Sequence, residues 1–410
     1  MSYGSWKLLV RERYAMKKYT RRDLLEYSLA TAAGAGLLPH TLRGFQSTIR
    51  EGVLGVPPEG YPIIEVEGSH HEIGKQIGSS MKEKIAGFLE ISPQYSDCVE
   101  YLNGKGHEAI EKMLRHARTT FPQFIEEVEG MAEALGIPFL ELFAYQCRSE
   151  ISILREPPGC STIALRDADN LILAHNEDGD DLNVGRMFLV KVTPPGGTTF
   201  ISFVYPGLLP GNGPGINKSG LVQTTNYIQP RGVADGIPRY FIGRAILEAK
   251  SLNEAVSLAT MTPLAFSWHH NLIHLPERRI LSVEVAAYPE HKHSVTEVDG
   301  LYVHTNHFLH PAMTGEEKIE FRPYDVPYKS STTRMAVLRM AIESMGPPAN
   351  EEEILKLLTL HEGRPYSPCR HPEGDVHGIT LGTAVFTGAA KNMTLYHGNP
   401  CRRFHTKYAF

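Results

Sequence analysis

From about Ile63 to Glu150 apolar residues recur at three- and four-residue spacing, which reads as mostly helical. The clearest run is Phe124, Ile125, Val128, Met131, Ala132 and Leu135. Gly136 and Pro138 then stop that helix, because glycine accepts the left-handed turn after a helix and proline cannot continue one. His71 to Leu89 and Pro138 to Cys147 carry weaker versions of the same pattern. At Arg155-Glu156-Pro157-Pro158-Gly159 the texture changes to short β-type runs at Ser161–Arg166, Leu171–His175, Met187–Val192, Thr198–Tyr205 and Gly220–Asn226. A helical pair follows at Tyr240–Lys250 and Ser251–Thr260, then strands at Asn271–His274, Ile280–Ala287 and Leu301–His304. Helices near Thr332–Glu343 and Glu351–Leu360 precede closing strands around Thr380–Phe386, Met393–His397 and Phe404–Tyr408. There is no internal repeat and no low-complexity linker. Helices and strands arriving in blocks, without strict βαβ alternation, favour α+β layers over a doubly wound parallel sheet.

Composition narrows the function classes. Of 410 residues, 42% are hydrophobic and 21% charged, which suits a folded globular chain and excludes a disordered, collagen-like or coiled-coil one. Length alone allows two or three domains or one large one. The net charge of −5 is spread without blocks, and no basic patch marks a nucleic-acid or anionic-lipid partner. No apolar run reaches the length of about 18 residues that a multi-span membrane protein needs.

Residues 17–38, KKYTRRDLLEYSLATAAGAGLL, have the form of a twin-arginine export signal. A basic start and the Arg21-Arg22 pair precede Leu24-Leu25 and a mildly apolar Ala/Gly/Leu stretch. That stretch carries Glu26 and is too short and weak to span a bilayer stably; the competing reading is an amphipathic first helix. A cleavage site is expected near Ala33-Gly34-Ala35, and Met16, directly before Lys17-Lys18, is an alternative start to Met1 that would make residues 1–15 an upstream extension. The expected partner is the twin-arginine export machinery, and the expected location is a bacterial periplasm or beyond. Five cysteines, Cys98, Cys147, Cys160, Cys369 and Cys401, leave at least one free thiol in such an oxidising compartment, and they show no CxxC or Cys/His zinc spacing.

Cys160 sits at the switch from helical to β texture, directly behind Pro157-Pro158-Gly159. The prolines restrict the backbone, while Gly159 reaches dihedrals closed to other residues and puts no Cβ in the way of attack on its carbonyl. An N-to-S acyl shift followed by hydrolysis would leave Cys160 as a new N-terminus. Its α-amine, with an ordinary pKa of about 7.7–8.0, then serves as general base for its own thiol. A lone cysteine opening a strand is, by itself, equally a small buried hydrophobe.

The wider sequence resembles a known family. The segments are GSHHEIGKQIG at 68–78, EEVEGMAEALGIPFLELFAYQCRSEI at 126–151, GCSTI at 159–163 and LILAHNEDGD at 171–180. YPGLLPGNGPGINKSGLVQTTN at 205–226, GIPRYFIGRAILEAKSLNEA at 236–255 and HTNHF at 304–308 continue the match. From about residue 60 to the C-terminus, their order and spacing are similar to the acyl-coenzyme A:isopenicillin N (6-aminopenicillanic acid) acyltransferase family of N-terminal-nucleophile hydrolases. The resemblance implies a four-layer αββα fold in one domain. It also implies self-cleavage between Gly159 and Cys160, giving an α chain over 39–159 and a catalytic β chain over 160–410 that remain associated. Cys160 matches the nucleophile, and Asp178 the carboxylate that orients its amine. The family's usual aromatic before this aspartate is Glu177 here. Asn306 resembles the asparagine whose side-chain amide donates to the tetrahedral oxyanion, and Arg334, in SSTTR, an arginine near the nucleophile or substrate carboxylate. By the same similarity Tyr205 borders the substrate. Taken singly, Asp178 also reads as a solvated loop carboxylate, Asn306 as a strand end and Arg334 as a surface helix residue.

The function expected is therefore an exported cysteine amidohydrolase or acyltransferase acting on a small N-acyl amide through a thioester, without a cofactor. The Gly-rich run at 206–220 lacks GxxxxGK[ST] and reads as turns. Nineteen histidines, especially His269, His270, His274, His304, His307 and His310, invite the alternative of a metallohydrolase, but no HExxH occurs and no catalytic metal is expected. A non-catalytic ligand-binding protein on the same fold is the third reading.

Overall fold

The computed structural model describes residues 60–151, 159–317, 326–388 and 390–410, all within one compact unit. The twin-arginine segment, Met16, the Ala33-Gly34-Ala35 site and Pro157-Pro158 lie outside the described residues. The chain runs through β1 (Ile63–Glu67) and a helical block: α1 (His70–Ser80), α2 (Lys82–Ile91), α3 (Pro93–Asn103), α4 (His107–Thr120), α5 (Pro122–Leu135), α6 (Phe139–Gln146) and α7 (Arg148–Ile151). Next come β2 (Cys160–Arg166), β3 (Leu171–Asp180), β4 (Phe188–Thr193), β5 (Phe200–Val204), β6 (Gly215–Asn217) and β7 (Leu221–Tyr227). After α8 (Arg239–Ile246) and α9 (Leu252–Ala259) follow β8 (Trp268–His274), β9 (Arg279–Ala286), β10 (Lys292–Glu297) and β11 (Gly300–His304). Finally α10 (Val326–Met345) and α11 (Glu351–Leu358) lead to β12 (Gly378–Thr387), β13 (Asn392–His397) and β14 (His405–Ala409).

The strands form two sheets, an eight-stranded one ordered β1-β4-β5-β6-β7-β8-β9-β10 and a six-stranded one ordered β11-β2-β3-β12-β13-β14. β2 packs on β7 and β9, and β13 on β6, so the sheets stack face to face. α9 covers β8 and β9, while α10 and α11 cover β11 and β3. The result is the αββα sandwich that the resemblance implies, and the α+β class follows from it. β1, from before Cys160, pairs in parallel with β4, from after it, Ile63 opposite Leu189.

The helical block is locked by close backbones and one buried ion pair. A Cβ on Gly74 of α1 would lie 1.9 Å from the Glu127 carbonyl oxygen, and one on Gly130 of α5 would lie 2.0 Å from that of His71. Glycine alone permits that approach. Arg244 of α8 grips Glu127 through Nη2–Oε1 at 2.6 Å and Nε–Oε2 at 2.9 Å, and His70 Nδ1 meets Oε1 at 2.7 Å. Burial pushes the Glu127 carboxyl up, but Arg244 and His70 outweigh it and hold it below its ordinary value. Breaking such a buried pair from one side typically costs about 3–5 kcal/mol.

Most expected elements stand within a few residues of their places, with three corrections. Ile63–Glu67 is a strand rather than the start of a helical region, because five residues are too few for a helix and enough to pair an edge. His71–Leu89 breaks into two helices at Met81. The strand expected at Leu171–His175 runs on to Asp180, through the polar residues of the site.

Candidate active site

β2 and β3 form an antiparallel pair with Cys160 opposite Glu177 and Thr162 opposite His175. Opposed residues, and residues two apart, share one face of a sheet. Cys160, Thr162, His175 and Glu177 therefore form one cluster, with Cys160 3% exposed. The next strand over, β12, places Thr380 beside Asp178.

The structure brings Gly159, Cys160, Asp178, Asn306 and Arg334 together. The backbone N–H of Cys160 donates to Asn306 Oδ1 at 2.9 Å. Arg334 Nη2 donates to the same oxygen at 2.6 Å, and Nη1 donates to the Cys160 carbonyl and, at 3.0 Å, to Ser161 Oγ. Asn306 Nδ2 donates to the Tyr227 carbonyl at 2.9 Å, and Ser331 Oγ accepts the Asn306 N–H at 2.7 Å. Two donors on one side and a carbonyl on the other fix the amide orientation from its partners. Its oxygen faces the Cys160 nitrogen, which differs from the expected arrangement of an amide N–H aimed at an oxyanion. The donor on the Gly159 carbonyl is instead the backbone N–H of Asp178, at 3.0 Å.

Gly159 is closely packed by three charged side chains. A Cβ there would lie 3.0 Å from Arg334 Nη2, 3.0 Å from Arg370 Nη1 and 3.1 Å from Asp178 Oδ2. Asp178 Oδ1 accepts from Thr380 Oγ1 at 2.7 Å, whereas its buried Oδ2 has no hydrogen-bond partner among the described residues. Burial pushes this carboxyl up to about 7, against the lowering influence of Arg370, Arg334 and Thr380. Burial also raises the Cys160 thiol well above its ordinary value, Glu177 and Asp178 add to that, and Arg334 offsets part of it. The thiol is thus neutral as long as its nitrogen is a peptide N–H, and it needs a base. Burial brings Arg334 down to about 10, still a cation at neutral pH.

Arg370 and His175 were not singled out in the sequence, and Glu177 was noted there only as the replacement of an aromatic. Arg370 flanks Gly159 from the loop before β12. His175 bonds Thr162 Oγ1 at 2.8 Å and Glu177 Oε2 at 3.3 Å. Glu177 also accepts from Tyr205 at 2.6 Å, which places Tyr205 one residue away from the thiol rather than on it. The strand alternation HNED over 175–178 carried a signal for His175, since i and i+2 share a face.

A cavity of about 340 Å³ shares Tyr205 and Arg370 with the surroundings of Cys160, and its lining also includes Tyr227, Tyr240, Arg148, Arg239 and Asp180. Arg148 lies 5.2–5.5 Å over the rings of Tyr145, Tyr205 and Tyr240, and Arg239 packs among Tyr227, Tyr240, Phe266 and Trp268.

Among the described residues, the histidines behind the alternative metal reading do not gather three ligand atoms within 4.8 Å of one another. His269 stacks on His304 at 3.6 Å, His304 and His310 face Glu284, His274 faces Glu277, and His307 bonds Ser331. His270 stacks on Trp268. Burial lowers His270 and His307 to about 3 each. Among the described residues, the sets whose ligand atoms converge within 4.8 Å are Cys160, His175 and Glu177, and separately His361, Cys369, His371 and Cys401. In the first, Glu177 and His175 are already bonded to each other and to Tyr205 and Thr162.

A model of the acyl-coenzyme A:6-aminopenicillanic acid acyl-transferase family matches residues 165–402, more than half of the chain. The match spans Asp178, Asn306 and Arg334 and begins downstream of Cys160. The chain is 25% identical to the beta-alanyl-dopamine/carcinine hydrolase of Drosophila melanogaster over 376 residues, 83% of this chain and 94% of that protein. Among solved structures, an N-acylethanolamine-hydrolyzing acid amidase ortholog of Caenorhabditis elegans aligns with a TM-score of 0.36 and 14% identity, covering 55% of this chain and 92% of that one.

Proposed function

Because the chain belongs to the acyl-coenzyme A:6-aminopenicillanic acid acyl-transferase family, we propose that it is a self-cleaving cysteine amidohydrolase that acts on an N-acyl amide through a thioester on Cys160. The observation that carries this reading is the Gly159–Cys160 junction, with a carbonyl held by the Asp178 N–H, close packing of Gly159 against the Arg334, Arg370 and Asp178 side chains, and an Asp178 oxygen without a hydrogen-bond partner among the described residues.

In self-cleavage the Cys160 thiol adds to the Gly159 carbonyl while Asp178 accepts its proton. The C–N bond breaks, the proton passes to the departing nitrogen, and water hydrolyses the resulting thioester. The nitrogen released is the α-amine of Cys160, already seated on Asn306 Oδ1. In turnover this amine takes the thiol proton, the thiolate attacks the substrate carbonyl, and the amine returns the proton to the leaving nitrogen. The Asp178 N–H, vacated by Gly159, is the donor that meets the new oxyanion. β1 in the shared sheet and Glu127 on Arg244 support two chains that stay associated after the cut. Water is the abundant acceptor for an exported enzyme, which favours hydrolysis over transfer to an amine. Export rests on the twin-arginine segment.

Three arginines against one aspartate on the cavity lining favour a substrate with a carboxylate, an N-acyl amino acid, over an N-acyl amine without one. The Drosophila relative's name, with its beta-alanyl-dopamine, supports the amide class. Screening paired N-acyl amino acids and their decarboxylated amines is the test. Faster turnover of the acids, abolished in Cys160→Ala, is expected. Turnover that survives Cys160→Ala contradicts the mechanism, and faster turnover of the amines contradicts the substrate class alone.

A further inference from the structure

The second converging set lies outside the proposed active site. His361 follows α11, Cys369 and His371 flank Arg370 in the loop before β12, and Cys401 sits in a short 3-10 turn between β13 and β14. The four ligand atoms lie within 4.8 Å of one another. His371 Nε2 is their hub, 3.6 Å from Cys369 Sγ, 3.6 Å from Cys401 Sγ and 3.2 Å from His361 Nε2. A ring nitrogen offers one lone pair or one hydrogen, so hydrogen bonding accounts for a single one of these three approaches. A cation at the centre accounts for all of them. With Zn–S of about 2.3 Å and Zn–N of about 2.0–2.1 Å, a tetrahedron has S···N edges of about 3.6 Å and an N···N edge of about 3.3 Å. The observed edges agree with both.

We propose that His361, Cys369, His371 and Cys401 form a tetrahedral Cys2His2 site for one zinc ion. Two thiolates and two imidazoles are the donor set that selects zinc over hard cations such as magnesium or calcium. Binding Zn²⁺ releases the two thiol protons to solvent and leaves a neutral centre, with no redox step. Four protein ligands close the coordination sphere, so the ion is structural rather than catalytic. Asn399 supports it from outside, its Nδ2 lying 3.6 Å from Cys369 Sγ and donating to the Arg370 carbonyl at 2.5 Å. The ion ties the α11–β12 connection, which carries Arg370, to the β13–β14 turn; the Arg370 guanidinium lies against Gly159 and leaves no room for a Cβ on Gly378. A spacing of one residue between Cys369 and His371, with His361 eight residues upstream and Cys401 thirty residues downstream, matches no common zinc signature, which is why the sequence conceals the site.

The test is metal content and spectroscopy of the full chain, produced with zinc and, separately, with cobalt. About one ion per chain is expected after gel filtration, and the cobalt form should show tetrahedral ligand-field bands with thiolate charge transfer in the near ultraviolet. Cys160→Ala should keep the ion. Cys369→Ser and Cys401→Ser should each reduce its retention against a chelator at least tenfold. His361→Gln, at the more exposed edge, provides the same comparison if a cysteine variant does not fold. The proposal is overturned if the purified protein neither carries nor binds the ion, if a Cys369–Cys401 disulfide is found in the purified protein, or if the ion survives His361→Gln with unchanged retention and spectrum. Loss of the ion in Cys160→Ala would also overturn it, by placing the metal at the nucleophile.

Discussion

Two thiol clusters lie on either side of Arg370, and their surroundings assign them opposite chemistry. Around Cys160 the groups are unequal: a carboxylate with one unpartnered oxygen, two guanidinium groups, and an amide oxygen trained on the nitrogen that follows the scissile carbonyl. The sulfur is buried, and its thiol is held neutral until a base is supplied. Around Cys369 and Cys401 the groups are equivalent and mutual, two sulfurs and two ring nitrogens converging on one point. A thiol in the first setting is poised to attack; thiols in the second are poised to coordinate and stay inert. Burial does not separate the two cases, since Cys160 and Cys369 are both buried. The asymmetry of the neighbours does.

The sharpest way to break this contrast is to exchange the sulfurs' roles. Cys160→Ala should abolish self-cleavage and lower amide turnover on the order of 10⁴-fold or more, as loss of a nucleophile does elsewhere. Cys401→Ser should leave self-cleavage complete, which electrophoresis of the two proteins side by side reads directly. Asp178→Asn comes next, with self-cleavage slowed about 10²–10⁴-fold, the usual share of a general base. In the wild type the cleavage rate should rise with pH and level off above about 7, where Asp178 becomes ionised, and the variant should lose that rise. Stability moves the other way. A carboxyl whose folded pKa is raised binds more protons when folded than when unfolded between its ordinary value and about 7, so the uncut chain loses stability as pH rises through that window. Asp178→Asn should therefore unfold at a higher temperature than uncleaved Cys160→Ala at pH 8, with a smaller gap at pH 5.

Asn306 offers a finer distinction. If its oxygen seats the Cys160 nitrogen, Asn306→Asp, which keeps an acceptor, should retain more activity than Asn306→Ala, whose loss is expected at about 10²-fold. Equal losses would return the amide to the donor role expected from the resemblance. Tyr205→Phe should have the smallest effect, about 3- to 10-fold in kcat/KM, because it removes one hydrogen bond to Glu177 and acts on the thiol only through that side chain.

How much of this was legible in the sequence depended on range. The α5 pattern from Phe124 to Leu135 and its stop at Gly136 are local, and they stand as read, with Gly136 in the left-handed region. β10, KHSVTE, offered little apolar alternation because it is an exposed edge strand, and it passed unseen. Gly159 and Cys160 stood out from their local sequence, Asp178, Asn306 and Arg334 were gathered by resemblance, and the structure places the five within one network. The direction of the Asn306 amide, the Asp178 N–H on the Gly159 carbonyl and the insertion of Arg370 depend on the register between strands far apart in sequence. No local pattern encodes them. The Cys2His2 set is the extreme case, since its ligands come from the α11–β12 connection and the β13–β14 turn, which only the closed sandwich brings together.

Intact-mass measurement of the purified, catalytically active protein under denaturing conditions tests the central claim most directly. The account predicts two species, with the larger beginning Cys160-Ser161-Thr162-Ile163 and running to Phe410. A fully active protein whose Gly159–Cys160 bond is unbroken would contradict it.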